Sequence, residues 1–230
     1  MKKEHSWLPI TILLGLGLLL ISAVWFFFLR PSGQPPTPVP VAPLAITDPT
    51  LTRYQINPAA SEARFVIDEE LRGAAKTVIG VTNQLSGQIA ANLDDPARAQ
   101  IGLIRINPRT FNTDNEFRTA AVRDHILAMP SDAYITFAPT AIHPLPTSVT
   151  PPLTFTVSGS LTIGTISRPE TFTVTLTAVS PTTLQGSATA TINRNDYQLT
   201  IPQAPGVANV SETVNLSLDF IAEPAPNEIP

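Results

Sequence analysis

Beyond Leu51 the apolar residues recur at every second position in short stretches, and this alternation limits the fold more than any other feature of the chain. Ala63, Phe65 and Ile67 alternate with Arg64, Val66 and Asp68. Phe172, Val174, Leu176 and Ala178 alternate with four threonines, and Ala188, Ala190 and Ile192 with Ser187, Thr189 and Thr191. Val214, Leu216, Leu218 and Phe220 alternate with Asn215, Ser217 and Asp219. Strand side chains point alternately to the two faces, so each stretch reads as an antiparallel strand with one apolar and one wet face. Residues 86–93, 98–107, 133–142 and 152–163 add further strands, the last with Gly159 inside, where a bulge or bend is expected. About eight strands separated by turn residues predict an all-β barrel or sandwich.

One segment departs from this period. Asp114 to Met129 places Phe117, Ala121, Ile126 and Leu127 at helical spacing, with Thr113 or Asp114 as N-cap and Pro130 as stop. The predicted architecture is therefore strands, one helix over an open end or side, and more strands.

Upstream, Trp7 to Leu29 carries no charge. At about 1.5 Å per residue this run makes a helix long enough to cross a hydrocarbon core of about 30 Å. Lys2 and Lys3 precede it and only Arg30 follows closely, a bias that puts residues 1–6 in the cytoplasm and the domain outside it. A cleaved signal peptide would have a shorter apolar core ending in small residues, whereas this one ends in Trp25-Phe26-Phe27-Phe28-Leu29. The expected organisation is a single-pass transmembrane helix over 7–29, a proline-rich linker over 30–50, a β domain over 51–223 and a disordered tail over 224–230. The linker composition favours an extended, core-free spacer.

Charge and composition narrow the function. After residue 50 there are 11 Lys and Arg against 16 Asp and Glu, with no basic stripe, which argues against nucleic-acid binding. With no cysteine in the chain, thiolate metal sites and disulfides are excluded. His5, His125 and His143 are not arranged as metal ligands, no G-x-S-x-G elbow occurs, and neither a cofactor nor catalysis is expected. Asp68, Glu69 and Glu70 read as solvated acids, and Asp68 and Glu69, as strand neighbours, should face opposite ways. Arg118 and Arg123 lie on the helix. Arg118 either pairs with Asp114 four residues before it, or both arginines meet an anionic head group at a cavity mouth. Asn209-Val210-Ser211 and Asn215-Leu216-Ser217 match the glycosylation sequon by chance.

Several motifs in order carry a family resemblance. They are Tyr54-Gln55-Ile56 with Ser61 and Phe65, Val78-Ile79-Gly80, Leu85-Ser86-Gly87-Gln88-Ile89, and Ile106-Asn107 with Thr113 to Arg118 and Arg123 to Leu127. Tyr134-Ile135-Thr136-Phe137, Val157-Ser158-Gly159-Ser160-Leu161-Thr162-Ile163-Gly164 with Arg168-Pro169, and Ile192-Asn193-Arg194-Asn195-Asp196-Tyr197 complete the set. Over roughly residues 52–222 the chain resembles the YceI-like family of polyisoprenoid-binding, lipocalin-like bacterial proteins. It departs from the pattern at Ala60, where the family has His, and at Gln198, where it has Gly. The resemblance implies an eight-stranded antiparallel barrel around a long apolar cavity, with a helix near the mouth, export, and in some members a bound isoprenoid.

Two functions follow. In the first, Phe65, Ile67, Phe137, Phe155, Val174 and Phe220 line a cavity that holds an isoprenoid or other lipid. In the second, the same residues pack against one another and the domain is a non-enzymatic interaction module displayed to an unknown membrane partner.

Overall fold

A computed structural model describes residues 39–40, 42–148 and 150–225. The apolar run over 7–29 lies outside the described residues, as do residues 30–38 and 41 of the linker and 226–230 of the tail. The strands are β1 (Thr52–Ile56), β2 (Glu62–Leu71), β3 (Ala74–Thr82), β4 (Leu85–Ser86), β5 (Gln88–Ala91), β6 (Gln100–Ile101), β7 (Ile104–Ile106), β8 (Ile135–His143), β9 (Leu153–Ile163), β10 (Ile166–Ser180), β11 (Thr183–Asn193), β12 (Val207–Ala208) and β13 (Thr213–Pro224). Eight of these are five residues or longer; the other five are fragments of two to four residues. The expectation of eight strands meets thirteen for two reasons: Gly87 divides one predicted strand into β4 and β5 and Gly102 another into β6 and β7, and β1, β3 and β12 lie outside the predicted stretches.

All thirteen strands join one curled antiparallel sheet. Its path runs β4-β7-β8-β9-β10-β11-β13-β1-β5-β6. The path therefore begins and, at β5, nearly ends on the same stretch of chain, residues 85–91. Long β13 holds two partners along one edge: its end pairs with β1 and its middle with β2, which carries β3 on its far side.

The alternation is reproduced in the inward rows, with two slips. A register shift between Leu176 and Ala178 inserts an extra residue into β10. Such a bulge exchanges the faces beyond it, so Val179 rather than Ala178 reaches the interior. The bulge expected at Gly159 lies instead in its partner, where β8 shifts between Pro139 and Ala141. Gly159 itself serves packing: a Cβ there would stand 2.7 Å from the Phe137 ring and 2.5 Å from the Ala138 carbonyl oxygen.

The helix is shorter than Asp114–Met129. Helix α1 spans Glu116–Ala121 and continues as a π turn over Val122–Ile126. Its N-cap is Asn115, not Thr113 or Asp114, because the Asn115 side chain accepts from the Arg118 N–H at 3.1 Å. The π turn is closed by Leu127 N–H to Val122 O and Ala128 N–H to Arg123 O, and Ala128 at φ +37° ends it before Pro130.

Two boundaries also move. β13 runs through Pro224, and the Ala225 N–H still donates to Arg53 O, so order extends past 223. The described part of the linker is a strap laid on the sheet rather than a free spacer. Leu44 N–H donates to Gln88 Oε1, Arg53 donates to Leu44 O, Arg105 donates to Pro40 O, and Asp48 pairs with Arg98. Prolines remove donors from such a segment, so the sheet's side chains supply most of its bonds.

Candidate ligand chambers

The inward rows of the long strands run from one end of the curled sheet to the other, and they do not fill it. Two cavities lie along that axis. The inner one, about 190 Å³, is lined by Phe137, Phe155, Val174, Leu218 and Phe220, with Leu93, Pro96 and Leu153 among others. The outer one, about 660 Å³, is lined by Ile67, Leu71, Val78, Ile192 and Val214, with α1 and residues 199–210 above it. Five side chains face both cavities: Phe65, Phe111, Ile135, Ile163 and Leu216. β2 shows the order plainly, since Ala63 faces the inner chamber, Phe65 both, and Ile67, Glu69 and Leu71 the outer one. The inner lining is almost wholly apolar, the kind of surface that accepts apolar guests.

All six apolar residues predicted to face inward line one chamber or the other: Phe137, Phe155, Val174 and Phe220 the inner, Ile67 the outer, and Phe65 both. Arg118 reaches the outer chamber, but Arg123 does not. The Arg123 guanidinium is used on the protein itself, donating to Phe111 O at 2.7 Å and to Asn112 Oδ1 at 2.6 Å.

The rim of the outer chamber carries a chain of charges that strand pairing assembles. β2 and β3 set Glu69 opposite Lys76. Lys76 binds Asp114 at 2.7 Å, Asp114 binds Arg118, and Arg118 binds Glu69 at 2.7 Å. The Lys76 ammonium bonded to Asp114, aided by Arg118, holds the Asp114 carboxyl below its ordinary value. Two cations meet two anions, so this network is neutral overall. Arg72 and Arg194 complete the polar lining, Arg194 being held by the carbonyls of Ser211 and Leu199.

Glu69 is the residue the sequence reading missed. It belongs to the inward row of β2, its side chain is only 8% exposed, and it faces the chamber rather than solvent. Period two from Ala63 through Ile67 already places it there. Asp68 does face the other way, accepting from Thr77. Both sequon asparagines are engaged, Asn209 with Glu70 and Asn215 with Thr191.

Chemically, these chambers offer shape, apolar contact and a polar rim. Among the described residues no group of three or more His, Asp or Glu could hold a metal ion, and no helix is long and apolar enough to cross a membrane.

The sequence profile of the YceI-like domain matches residues 54–222. No curated protein matches the chain. Three solved structures show the same fold. Burkholderia cenocepacia BcnA is 19% identical with a TM-score of 0.55, over 72% of this chain and 98% of that one. A polyisoprenoid binding domain from Saccharophagus degradans, implicated in plant cell wall breakdown, is 17% identical with a TM-score of 0.55, over 76% and 99%. The Campylobacter jejuni YceI protein is 16% identical with a TM-score of 0.53, over 64% and 85%.

Proposed function

The chain belongs to the YceI-like family, and from that membership we propose that its curled sheet acts as an eight-stranded, lipocalin-like barrel that holds a polyisoprenoid or other lipid. The observation that carries this reading is the unfilled interior: two aligned apolar chambers of about 190 and 660 Å³. A domain built only to present an outer surface would close such space, because interiors pack to crystal-like density and voids cost stability. The apolar chain of the ligand lies along the barrel axis, and its polar end rests at the rim beside Arg118 and Glu69. The protein binds and carries rather than catalyses. The Saccharophagus degradans domain, a polyisoprenoid binding domain of the same fold, supports the ligand class.

The uncharged run over 7–29 anchors the domain as a single-pass membrane protein with an extracytoplasmic barrel, so cargo is taken up and released near one membrane. The direct test is organic extraction of full-length protein purified from its own membranes, followed by mass spectrometry. A lipid present at close to one copy per chain is expected. Its repeated absence would reject the ligand-binding reading in favour of the interaction module.

A further inference from the structure

Phe65 stands where the two chambers meet, and its environment differs from that of every other aromatic side chain lining them. Across the sheet it faces Gly80 in β3. A Cβ on Gly80 would stand 2.1 Å from Phe65 Cε1 and 2.2 Å from Cζ, far inside contact distance. The ring therefore lies flat against the wall in space that only glycine leaves open. On its other side is Phe111, with ring centroids 5.3 Å apart and planes inclined by 58°. Phe111 is fixed: it is buried, and its carbonyl is held by Arg123. Phe65 is half-buried and rests on a residue without a side chain, so it is the movable member of the pair. Phe137 also lies on a glycine, Gly159, but faces the inner chamber alone and cannot govern passage between the two.

We propose that Phe65 is the length-determining residue of the ligand site. Seated on Gly80, it leaves a passage from the outer chamber into the inner one, so a long isoprenoid extends through both. Displaced from that seat, the ring turns into the lumen beside Phe111, and only a chain short enough for the outer chamber is held. This rests on the apolar-ligand reading above and deepens it, since it assigns chain-length selection to one ring and the glycine beneath it.

The test uses full-length protein in detergent micelles, given an equal mixture of farnesol and solanesol, with the bound probes counted by native mass spectrometry. Wild-type protein takes up both. Gly80→Val pushes the ring off its seat and lowers the ratio of bound solanesol to farnesol by about tenfold or more, equivalent to about 1.4 kcal/mol. Adding Phe65→Ala to Gly80→Val removes the displaced ring and restores the wild-type ratio, which a merely misfolded Gly80→Val protein would not do. An unchanged ratio in Gly80→Val, or a double variant that is not restored, overturns the gate and leaves the ligand reading standing. Wild-type protein that takes up neither probe overturns that reading and the gate with it.

Discussion

The inner and outer chambers are walled by the same strands yet built on different terms. Around the inner one, Phe155, Val174 and Phe220 are nearly closed off from solvent and are also part of the larger core that contains Tyr54 and Leu85. Around the outer one, Ile192 and Val214 belong to a second core, but Ile67 and Leu71 are only partly covered, and acid and base share the rim. Both ends are therefore backed by core, and the adjustable surface lies at the outer end. A wall residue that is also core is costly to change, whereas one that faces an empty chamber can be varied for fit.

The contrast is most exposed to failure at Phe220. Phe220→Ala removes a 5% exposed ring and should destabilise the domain by about 3–5 kcal/mol, read from urea unfolding midpoints. If Ile67→Ala costs as much, the two chambers do not differ as described. Next in size is Glu69→Ala, which strands one side of the Arg118 guanidinium at a partly buried site. A loss of about 1–3 kcal/mol is expected from the unmet hydrogen bond, measured in the same way. An effect within error would mean that Asp114 alone satisfies Arg118.

Gln198 offers a change in the opposite direction. It stands at φ +54° at the end of a 3-10 turn, a left-handed conformation that costs a side-chain-bearing residue about 1–2 kcal/mol. Gln198→Gly should raise stability by about 1 kcal/mol, because glycine's greater freedom in the unfolded chain takes back part of the gain. A lower melting temperature would contradict it.

The smallest effect concerns pH at the rim. The folded Asp114 carboxyl lies below its unfolded value of 3.8, so it contributes stability above that value and loses it as pH falls through the folded one. The stability gap between wild type and Asp114→Asn should therefore be constant near neutrality and narrow on acidification below pH 3.8. A gap that widens on acidification would place the carboxylate in the wrong partnership.

Much of this was legible in the residues, and the exceptions share a cause. The row Val214-Leu216-Leu218-Phe220 lies against both chambers in the order it is written, because a strand converts alternation directly into facing. What alternation cannot convey is whether the space in front of a row is full. Phe65 and Ile67 would show the same period in a packed sandwich, so the chambers appear only once opposite walls are set at their distance. Glu69 runs against the usual solvation of acids, and only the period of β2 points to its inward position. The extra residue in β10 has no local signature, since Thr177 is as good a strand residue as its neighbours. The helix end was misplaced for a different reason: Pro130 is an obvious stop, but the π turn and Ala128 end the helix before it.

The strap has a mechanical consequence. Its attachments, Pro40 to Arg105, then Leu44 to Gln88, then Asp48 to Arg98, are engaged in sequence before β1 is reached. A pull from the N-terminal side meets them one at a time, as in opening a zip, while β1 between β13 and β5 is loaded in shear, with several bonds sharing the force. The strap would thus act like a fuse: a force applied at its N-terminal end would be spent first on side-chain contacts that can re-form, before it reached the strands of the sheet.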